Sequence, residues 1–405
     1  MAVSVEEALK LIYDNVIPKT TKILPLESAL NHVIAEDIIA THNLPPYDNS
    51  AMDGYAVNCD IQGKTVEVLH TIFAGDKDEF IINGDTVYKI MTGAKIPAGC
   101  EAIVPIEDVT VEGSCVTFSK NIKHGAHIRL AGEDIEIDDK IISKSTYLNA
   151  HHITLLASQG ISHVNVYDKP RIALFASGSE LKMHWQKLEE HQLYNTNTPT
   201  FLARAMELGC DAQFIGTAKD SLENIREMIQ AALDFDLIIT SGGVSVGDAD
   251  FTKEAFSYFG FETIFEKVNI KPGKPTTFGR IGDTFILNLP GNPLAATLNF
   301  ELFAKAAILA MSGNEAKYIN AIETKMKDDY KLKPGKRTLL PGYFDGSDFT
   351  PNEKFAPGMV SPMSTANGFI MVDESISELQ SGSSVKFIPT RFQFTSNQIK
   401  DLVTR

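Results

Sequence analysis

The central part of the chain alternates short apolar runs with amphipathic stretches. Residues 171–175, 237–239 and 285–287 are mainly apolar and predict strands, and residues 198–208 have the periodicity of a helix. A long helix should begin near Pro293 and reach about residue 311, since proline is favoured in the first turn of a helix. This alternation predicts a mostly parallel sheet with helices on both faces.

The flanking regions follow other periods. Ser4 and Glu7 have the spacing of a capping box and predict a helix at the N-terminus, and residues 26–36 show a second helical pattern. Residues 52–140 contain short alternating apolar segments between Gly, Asp and Asn turns, as in a small barrel or sandwich. After about residue 318 the pattern again becomes that of short strands, which predicts a small terminal β domain.

Polar and glycine-rich loops follow the predicted strands of the central region. The segment 240–253, TSGGVSVGDADFTK, comes directly after the apolar run 237–239, and 289–293, LPGNP, follows another such run. A basic segment, 267–275, lies between them. A single Gly-Gly turn is usually only a strand-to-helix connection, but these three segments occur within a short stretch of chain. Ligands of such sheets bind beyond the carboxyl ends of the strands, so the loops predict a site for a phosphorylated or oxyanionic ligand with a divalent metal.

Composition and missing motifs narrow the function classes. The formal net charge of −15 argues against broad binding to nucleic acid or to an anionic membrane. The four cysteines form no C-x-x-C pair and the ten histidines no H-E-x-x-H, so neither a disulfide framework nor a zinc site is expected. The Walker A and G-x-G-x-x-G patterns are absent. No signal peptide and no apolar run of membrane-spanning length is evident, and a cytoplasmic protein is expected.

Several segments together resemble one family. They include DNSAMDGYAV at 48–57, IMTGA at 90–94, GEDI at 132–135 and SGSEL at 177–181, besides the three loop segments above. In these segments the chain is similar, over nearly its whole length, to the MoeA family of molybdopterin molybdenumtransferases, which includes the E domain of gephyrin. The α/β region is less specific, because MogA-type adenylyltransferases and CinA-like proteins share it without the DNSAMDGYAV module.

The resemblance implies the activity, the partners and the domain plan. The expected reaction is Mg²⁺-dependent insertion of molybdate, as a substrate, into adenylylated molybdopterin with release of AMP. The expected subunit is elongated and forms a homodimer, in which the active cleft is shared between subunits. Other proteins of molybdenum cofactor biosynthesis are expected to interact with it. The implied divisions are a MogA-like doubly wound α/β domain (1–20 and 171–317), an elongated linking domain (21–42 and 139–170), a β-rich inserted domain (43–138) and a C-terminal small β-barrel domain (318–405).

Five positions are expected to carry the chemistry. Glu180 and Asp250 are the expected ligands or orienters of Mg²⁺, a hard ion that prefers carboxylate and phosphate oxygens. Lys267 and Lys271 match family lysines and would hold molybdate or the pyrophosphate bridge, where cations favour the charge on a leaving AMP. Their spacing, on a predicted strand, would place both on one face. Asp53 matches an aspartate of the family and would reach a site on the other subunit.

Further positions are expected to bind the substrate. They match the family or lie in the glycine and proline loops: Thr92, Arg129, Asp134, Gly242, Gly243, Ser245, Lys274, Pro290, Pro293, Arg337 and Ser361. Arg129 and Arg337 could each contact phosphate bidentately, whereas the prolines should shape their loop. Asp220 is a weaker match, for which a helix N-cap is an equally good interpretation.

Two rival functions stay open from the sequence. An adenylyltransferase of the MogA type would consume ATP and molybdopterin, and a gephyrin-like scaffold would need no catalysis. The presence of Asp53, Glu180, Asp250, Lys267 and Lys271 favours an active enzyme. Molybdate and tungstate are tetrahedral dianions of similar size, so the sequence leaves the choice between them open.

Overall fold

The computed structural model describes residues 2–118, 121–242, 251–391 and 403–404. Its helices are α1 (Val5–Asn15), α2 (Ala150–Ser158), α3 (Asn197–Glu207), α4 (Leu222–Ala232), α5 (Phe251–Tyr258), α6 (Pro293–Asn299), α7 (Lys305–Met311) and α8 (Pro362–Thr365). A π-helical turn, Phe300–Ala304, joins α6 to α7.

The strands of the first half are β1 (Thr21–Pro25), β2 (Ile38–Ile39), β3 (Asn49–Ser50), β4 (Gly54–Val57), β5 (Thr65–Ile72), β6 (Val87–Ile90), β7 (Ala102–Pro105), β8 (Val109–Glu112), β9 (Cys115–Phe118), β10 (Ile128–Arg129), β11 (Lys140–Ile142), β12 (His163–Tyr167), β13 (Arg171–Ser177), β14 (Leu181–Lys182) and β15 (Leu193–Tyr194). Those of the second half are β16 (Asp211–Ala218), β17 (Leu237–Ser241), β18 (Glu262–Phe265), β19 (Thr277–Ile281), β20 (Thr284–Leu289), β21 (Ile322–Met326), β22 (Tyr330–Lys331), β23 (Thr338–Phe344), β24 (Asp348–Pro351), β25 (Gly368–Val372), β26 (Glu378–Leu379) and β27 (Ser384–Pro389).

The predicted α/β region is confirmed. Its sheet has the order β16-β13-β17-β20-β19-β18, in which the first four strands are parallel and β19 and β18 continue it antiparallel. One face packs against α1, α3 and the long helical run that begins with α6, and the other face packs against α4 and α5. Strand β17 is buried along its whole length, as a parallel strand covered on both faces should be.

The helical run from Pro293 to Met311 forms the centre of the larger core. Pro293 stands in its first turn, as the sequence predicts. By length and composition this run, with a mean hydropathy of 1.5, could cross a membrane, but 83% of it is buried inside the protein. A core helix has the same properties, and this one packs against the sheet and against α1.

The N-terminal helix begins as predicted, but the second helical pattern is wrong. Ser4 caps α1 by accepting a hydrogen bond of 3.0 Å from the Glu7 N–H. Within residues 26–36 only one short 3₁₀ turn forms. Asn31 has a left-handed φ of 62°, and Val33 pairs with Tyr147 in an isolated β-bridge. Pairing with distant chain therefore replaces the local helix.

The remaining β regions form three separate units. Residues 54–118 form a six-stranded sheet in the order β7-β4-β6-β5-β9-β8. Strand β1 pairs with β12, and β2 with β11, so residues 21–42 and 138–167 lie together around one small core. Strands β21, β24, β23, β25 and β27 close into a barrel, which confirms the predicted C-terminal β-barrel.

Candidate active site

A cleft of about 710 Å³ lies at the carboxyl ends of β13, β17 and β20. Its lining among the described residues comes from loops after these strands, from the start of α3 and from the C-terminal region: Ser177, Glu180, Leu181, Leu193, Tyr194, Asn195, Thr196, Asn197, Ser241, Gly242, Pro275, Pro290, Gly291, Asn292, Pro293, Gly358 and Val360. The predicted position of the site, beyond the strand ends, corresponds to this cleft.

A buried hydrogen-bond network holds two of the loops in the cleft together. The Asn197 side-chain amide donates to the Ser241 hydroxyl at 2.6 Å and to the Gly291 carbonyl at 2.8 Å. Ser241 in turn donates to the Pro290 carbonyl at 3.3 Å. Asn197 and Ser241 are only 8% and 3% exposed, so these bonds are shielded from competing water. The first turn of α3 thereby holds the end of β17 to the loop that follows β20.

Gly242 is required by the close approach of these loops. Its φ of +95° is a conformation that side-chain-bearing residues rarely adopt, and an added Cβ would lie 2.5 Å from the Ser177 carbonyl oxygen. A Cβ added to Gly291 would lie 3.6 Å from the Gly242 Cα. The predicted site residues Gly243, Ser245 and Asp250 lie outside the described residues.

Glu180 is the one charged side chain in the described lining of the cleft, and it is exposed. Its loop is held by Asp220, whose carboxylate accepts from the Ser179 N–H at 2.9 Å while the Asp220 N–H donates to the Ser179 hydroxyl. Ser221, and not Asp220, caps α4. An exposed carboxylate in the cleft fits a magnesium ion that takes most of its ligands from water and substrate phosphates. The described residues contain no cluster of three or more His, Cys, Asp or Glu side chains able to hold a metal by themselves.

The sequence reasoning missed the polar segment before α3. Tyr194, Asn195 and Thr196 line the cleft, and Asn195 donates to the Thr198 hydroxyl at 2.7 Å. The run Asn-Thr-Asn-Thr at 195–198 just before a predicted helix was the available signal, because such residues favour helix starts. The N-terminal end of α3 therefore supplies a positive helix-dipole end to the cleft.

The strand predicted to carry Lys267 and Lys271 is wrong. Strand β18 ends at Phe265, and residues 266–276 are irregular apart from isolated bridges at Val268 and Lys271. The Ile270 N–H bonds to the Val268 carbonyl only two residues back, which turns the chain and removes the regular alternation of a strand. Pro275, at the end of this loop, lines the cleft, but the three lysines are not part of its described lining.

The C-terminal region closes one side of the cleft. Gly358 and Val360 line it, and Ser361 stands exposed at the start of α8. The Pro357 carbonyl accepts hydrogen bonds from the N–H groups of Leu294 and Ala295, at 3.0 and 3.4 Å. The first N–H groups of α6 are thus partly satisfied by the protein itself. Pro290 and Pro293, which are predicted to shape the loop, both line the cleft.

Arg337 is held by carboxylates of the protein. Its guanidinium donates to both Glu6 oxygens at 2.5 Å and lies 3.6 Å from an oxygen of Asp373. The hydrogen bond with Glu6 holds the pKa of Arg337 above its usual range. In this arrangement Arg337 joins α1 to the C-terminal barrel, and an added phosphate would have to compete with Glu6.

Asp53 and Thr92, predicted separately, form one unit. The Asp53 carboxylate accepts hydrogen bonds of 2.7 Å from both the backbone N–H and the hydroxyl of Thr92. These bonds hold the pKa of Asp53 below its usual value, so the group is a carboxylate at neutral pH. Ser50 supplies a carbonyl to Gly93 at 2.8 Å, which ties the DNSAMDGYAV segment to the same turn.

Arg129 and Asp134 lie on the same module as Asp53. Arg129 is exposed at the end of β10, opposite Asn49 of β3, and Asp134 is exposed in the following turn. Within the described parts of the chain, no hydrogen bond joins residues 43–138 to residues 171–391. The structure therefore separates two groups of predicted residues. One group lies on the β-rich module, and the other lies in the α/β and C-terminal regions, where only part of it lines the cleft.

Comparisons with known proteins cover nearly the whole chain. Residues 3–160 match the MoeA N-terminal region (domains I and II), 173–310 a probable molybdopterin binding domain, and 323–390 the MoeA C-terminal region (domain IV). Proteins named molybdopterin molybdenumtransferase from Staphylococcus epidermidis and Staphylococcus aureus are 33% and 31% identical, each match covering 96% of both chains. A crystal structure of the molybdopterin biosynthesis MoeA protein from Pyrococcus horikoshii has a TM-score of 0.83 at 27% identity, and covers 97% of this chain and 100% of that chain. The chain belongs to the MoeA family.

Proposed function

We propose that the protein is a molybdopterin molybdenumtransferase, which inserts molybdate into adenylylated molybdopterin with the aid of Mg²⁺ and releases AMP. Relatives with this name match the chain along 96% of its length. The observation that carries the proposal is the convergence of three strand-end loops and the start of α3 on one cleft, with Glu180 at its edge. Helix starts and glycine loops of this kind bind phosphate groups.

The residues of the cleft suit a large polar substrate. Buried Asn197 and Ser241 hold the end of β17 to the loop after β20, while Thr196 and Tyr194 offer hydroxyl and aromatic groups to a ligand. Glu180, with Asp250 as a second candidate, would hold the metal, and Mg²⁺ bound there would neutralise phosphate charge during release of AMP. Lys267, Lys271 and Lys274, on the loop that ends at Pro275, would supply the cations for molybdate or the pyrophosphate bridge.

The direct test is incubation of the protein with adenylylated molybdopterin, Mg²⁺ and molybdate, while AMP and molybdenum cofactor are measured. We expect both products to appear together. Glu180→Gln should lower turnover and weaken its dependence on Mg²⁺, whereas Glu190→Gln, at another exposed glutamate of the same connection, should match the wild type. Consumption of ATP and free molybdopterin instead would indicate the MogA-type adenylyltransferase, and no turnover with either substrate would favour a scaffold.

We further propose a homodimer in which Asp53 of one subunit completes the cleft of the other. The support is the separation of the predicted residues into two groups without hydrogen bonds between their regions in the described chain. Mixing Asp53→Ala subunits with Lys271→Ala subunits should restore part of the activity, because some heterodimers would hold one intact composite site. A monomer in sedimentation at working concentration, or a dimer without complementation, would contradict the shared cleft.

A further inference from the structure

Asn299 is a fully buried amide at the end of α6, where the helical run changes to its π-helical turn. Its side-chain nitrogen donates to the Ala295 carbonyl at 2.6 Å and to the Pro272 carbonyl at 3.4 Å. Its side-chain oxygen accepts from the Thr276 hydroxyl at 2.8 Å. Two of these three partners belong to the lysine loop, which we define as residues 266–276.

The lysine loop depends on distant parts of the chain for its shape. It connects two antiparallel strands, β18 and β19, and is much longer than the roughly two to five residues of an ordinary hairpin connection. The Val3 N–H donates to the Lys267 carbonyl at 2.9 Å. The Lys271 N–H donates to the Arg337 carbonyl, and the Lys271 carbonyl accepts from the Leu339 N–H, both at 2.8 Å. Val268 and Ile270 are buried in the larger core, and Asn299 adds side-chain hydrogen bonds that reach the loop from the interior of the protein.

Gly273 shows how closely the loop is seated on Asn299. The φ of Gly273 is +109°, and a Cβ added there would lie 1.8 Å from the Asn299 side-chain nitrogen. Thr276 closes the contact from the other side, because its hydroxyl donates to Asn299 and also lies 2.8 Å from the Gly273 carbonyl. A buried polar atom left without a partner is costly, and the Asn299 side-chain oxygen has its hydrogen bond from Thr276 only while the loop is seated.

The seated loop reaches the described lining of the cleft through Pro275. Lys271 and Lys274 precede Pro275 on the same loop. We propose that Asn299 is a positioning residue, which acts through the lysine loop by fixing where Lys271 and Lys274 stand relative to the oxyanion in the cleft. The inference rests on the proposed function, in which these lysines bind molybdate or the adenylylated substrate.

Hydrogen exchange of the purified full chain tests the positioning without any substrate. Asn299→Ala should raise exchange in peptides from the lysine loop by roughly tenfold, which corresponds to about 1.4 kcal/mol and is within the range for losing a buried hydrogen-bonding partner. Thr276→Val, which has nearly the same shape, should raise it in the same peptides and covers the case in which Asn299→Ala does not fold. Thr297→Val is the matched control, because among the described residues the Thr297 hydroxyl bonds only to the Pro293 carbonyl within its own helix.

Turnover is then measured with the same variants. Asn299→Ala and Thr276→Val should raise KM for molybdate or for adenylylated molybdopterin at least severalfold, with a smaller change in kcat, and Thr297→Val should match the wild type. Unchanged loop exchange, an equal rise in the control, or a loosened loop with wild-type KM would each overturn the inference. If the wild type released no AMP, the proposed function would fail. Hydrogen exchange of the wild type is therefore also measured with molybdate and Mg²⁺, which should slow exchange in the lysine loop. Unchanged exchange in that measurement would overturn the positioning role.

Discussion

Replacing Glu301 by glutamine should destabilise the α/β core by about 3 kcal/mol, because it breaks a buried ion pair. Glu301 is 2% exposed and lies in the π-helical turn, where its two oxygens accept from the Arg204 guanidinium at 2.6 and 3.0 Å. Arg204, on α3, is 17% exposed. The pair therefore joins the helix that borders the cleft to the central helical run.

The expected loss of stability depends on the Arg204 charge that remains after the substitution. Removing one member of a buried pair typically costs about 3–5 kcal/mol, since the other charge is left poorly solvated. Arg204 keeps a contact with the exposed Glu207, which places the expected loss at the lower end of that range. Burial already lowers the pKa of Lys305, and the loss of the favourable charge of Glu301 should lower it further. Glu207→Gln should cost less than about 1 kcal/mol, because exposed pairs contribute little.

The assay is urea unfolding followed by circular dichroism, with hydrogen exchange of the α3 peptides to localise the effect. A double variant, Arg204→Met with Glu301→Leu, removes both charges and should recover most of the stability that Glu301→Gln loses. Equal effects of Glu301→Gln and Glu207→Gln would contradict a buried ion pair, because the contact between Glu301 and Arg204 would then behave as a surface contact. A double variant as unstable as Glu301→Gln would refute it as well.

Three other predictions concern the site and the thiols. Thr92→Val removes one of the two hydrogen bonds that lower the pKa of Asp53, so this pKa should rise. The acidic limb of the pH–activity profile should then move to higher pH. An unmoved limb would show that Asp53 does not take part in catalysis. Lys271→Ala should raise KM for molybdate or adenylylated substrate, more so at high ionic strength, while its unfolding midpoint stays within experimental error, and a wild-type KM would remove it from the anion site. Burial raises the pKa of Cys210 to about 12 and that of Cys100 to about 11, so iodoacetamide at pH 8 should modify neither in the native protein, and mass spectrometry would detect the contrary.

The sequence alone determined the class of the fold and the position of the cleft. Strands such as β17 are buried on both faces and appear as continuous apolar runs, so local sequence is enough to identify them as strands and to give their order along the chain. The position of Pro293 marks the start of the core helix for an equally local reason. Because strand ends of a parallel sheet meet at one edge, the loops after β13, β17 and β20 could be assigned to one site before any coordinates.

The partners of the polar side chains, and the shape of the lysine loop, depend on tertiary structure and not on local sequence patterns. The lysine loop takes its shape from Val3, Arg337 and Asn299, which are remote in sequence, and therefore the alternation at 267–271 predicted a strand that does not form. Arg337 pairs with Glu6, and Asn197 joins the end of β17 to the loop after β20, through contacts that no spacing in the chain reveals. Hydrophobic periodicity reports which face of an element is buried, whereas the partner of each polar group depends on how distant elements pack. The sequence therefore determined where a site should lie, and packing decided which side chains are free to act in it.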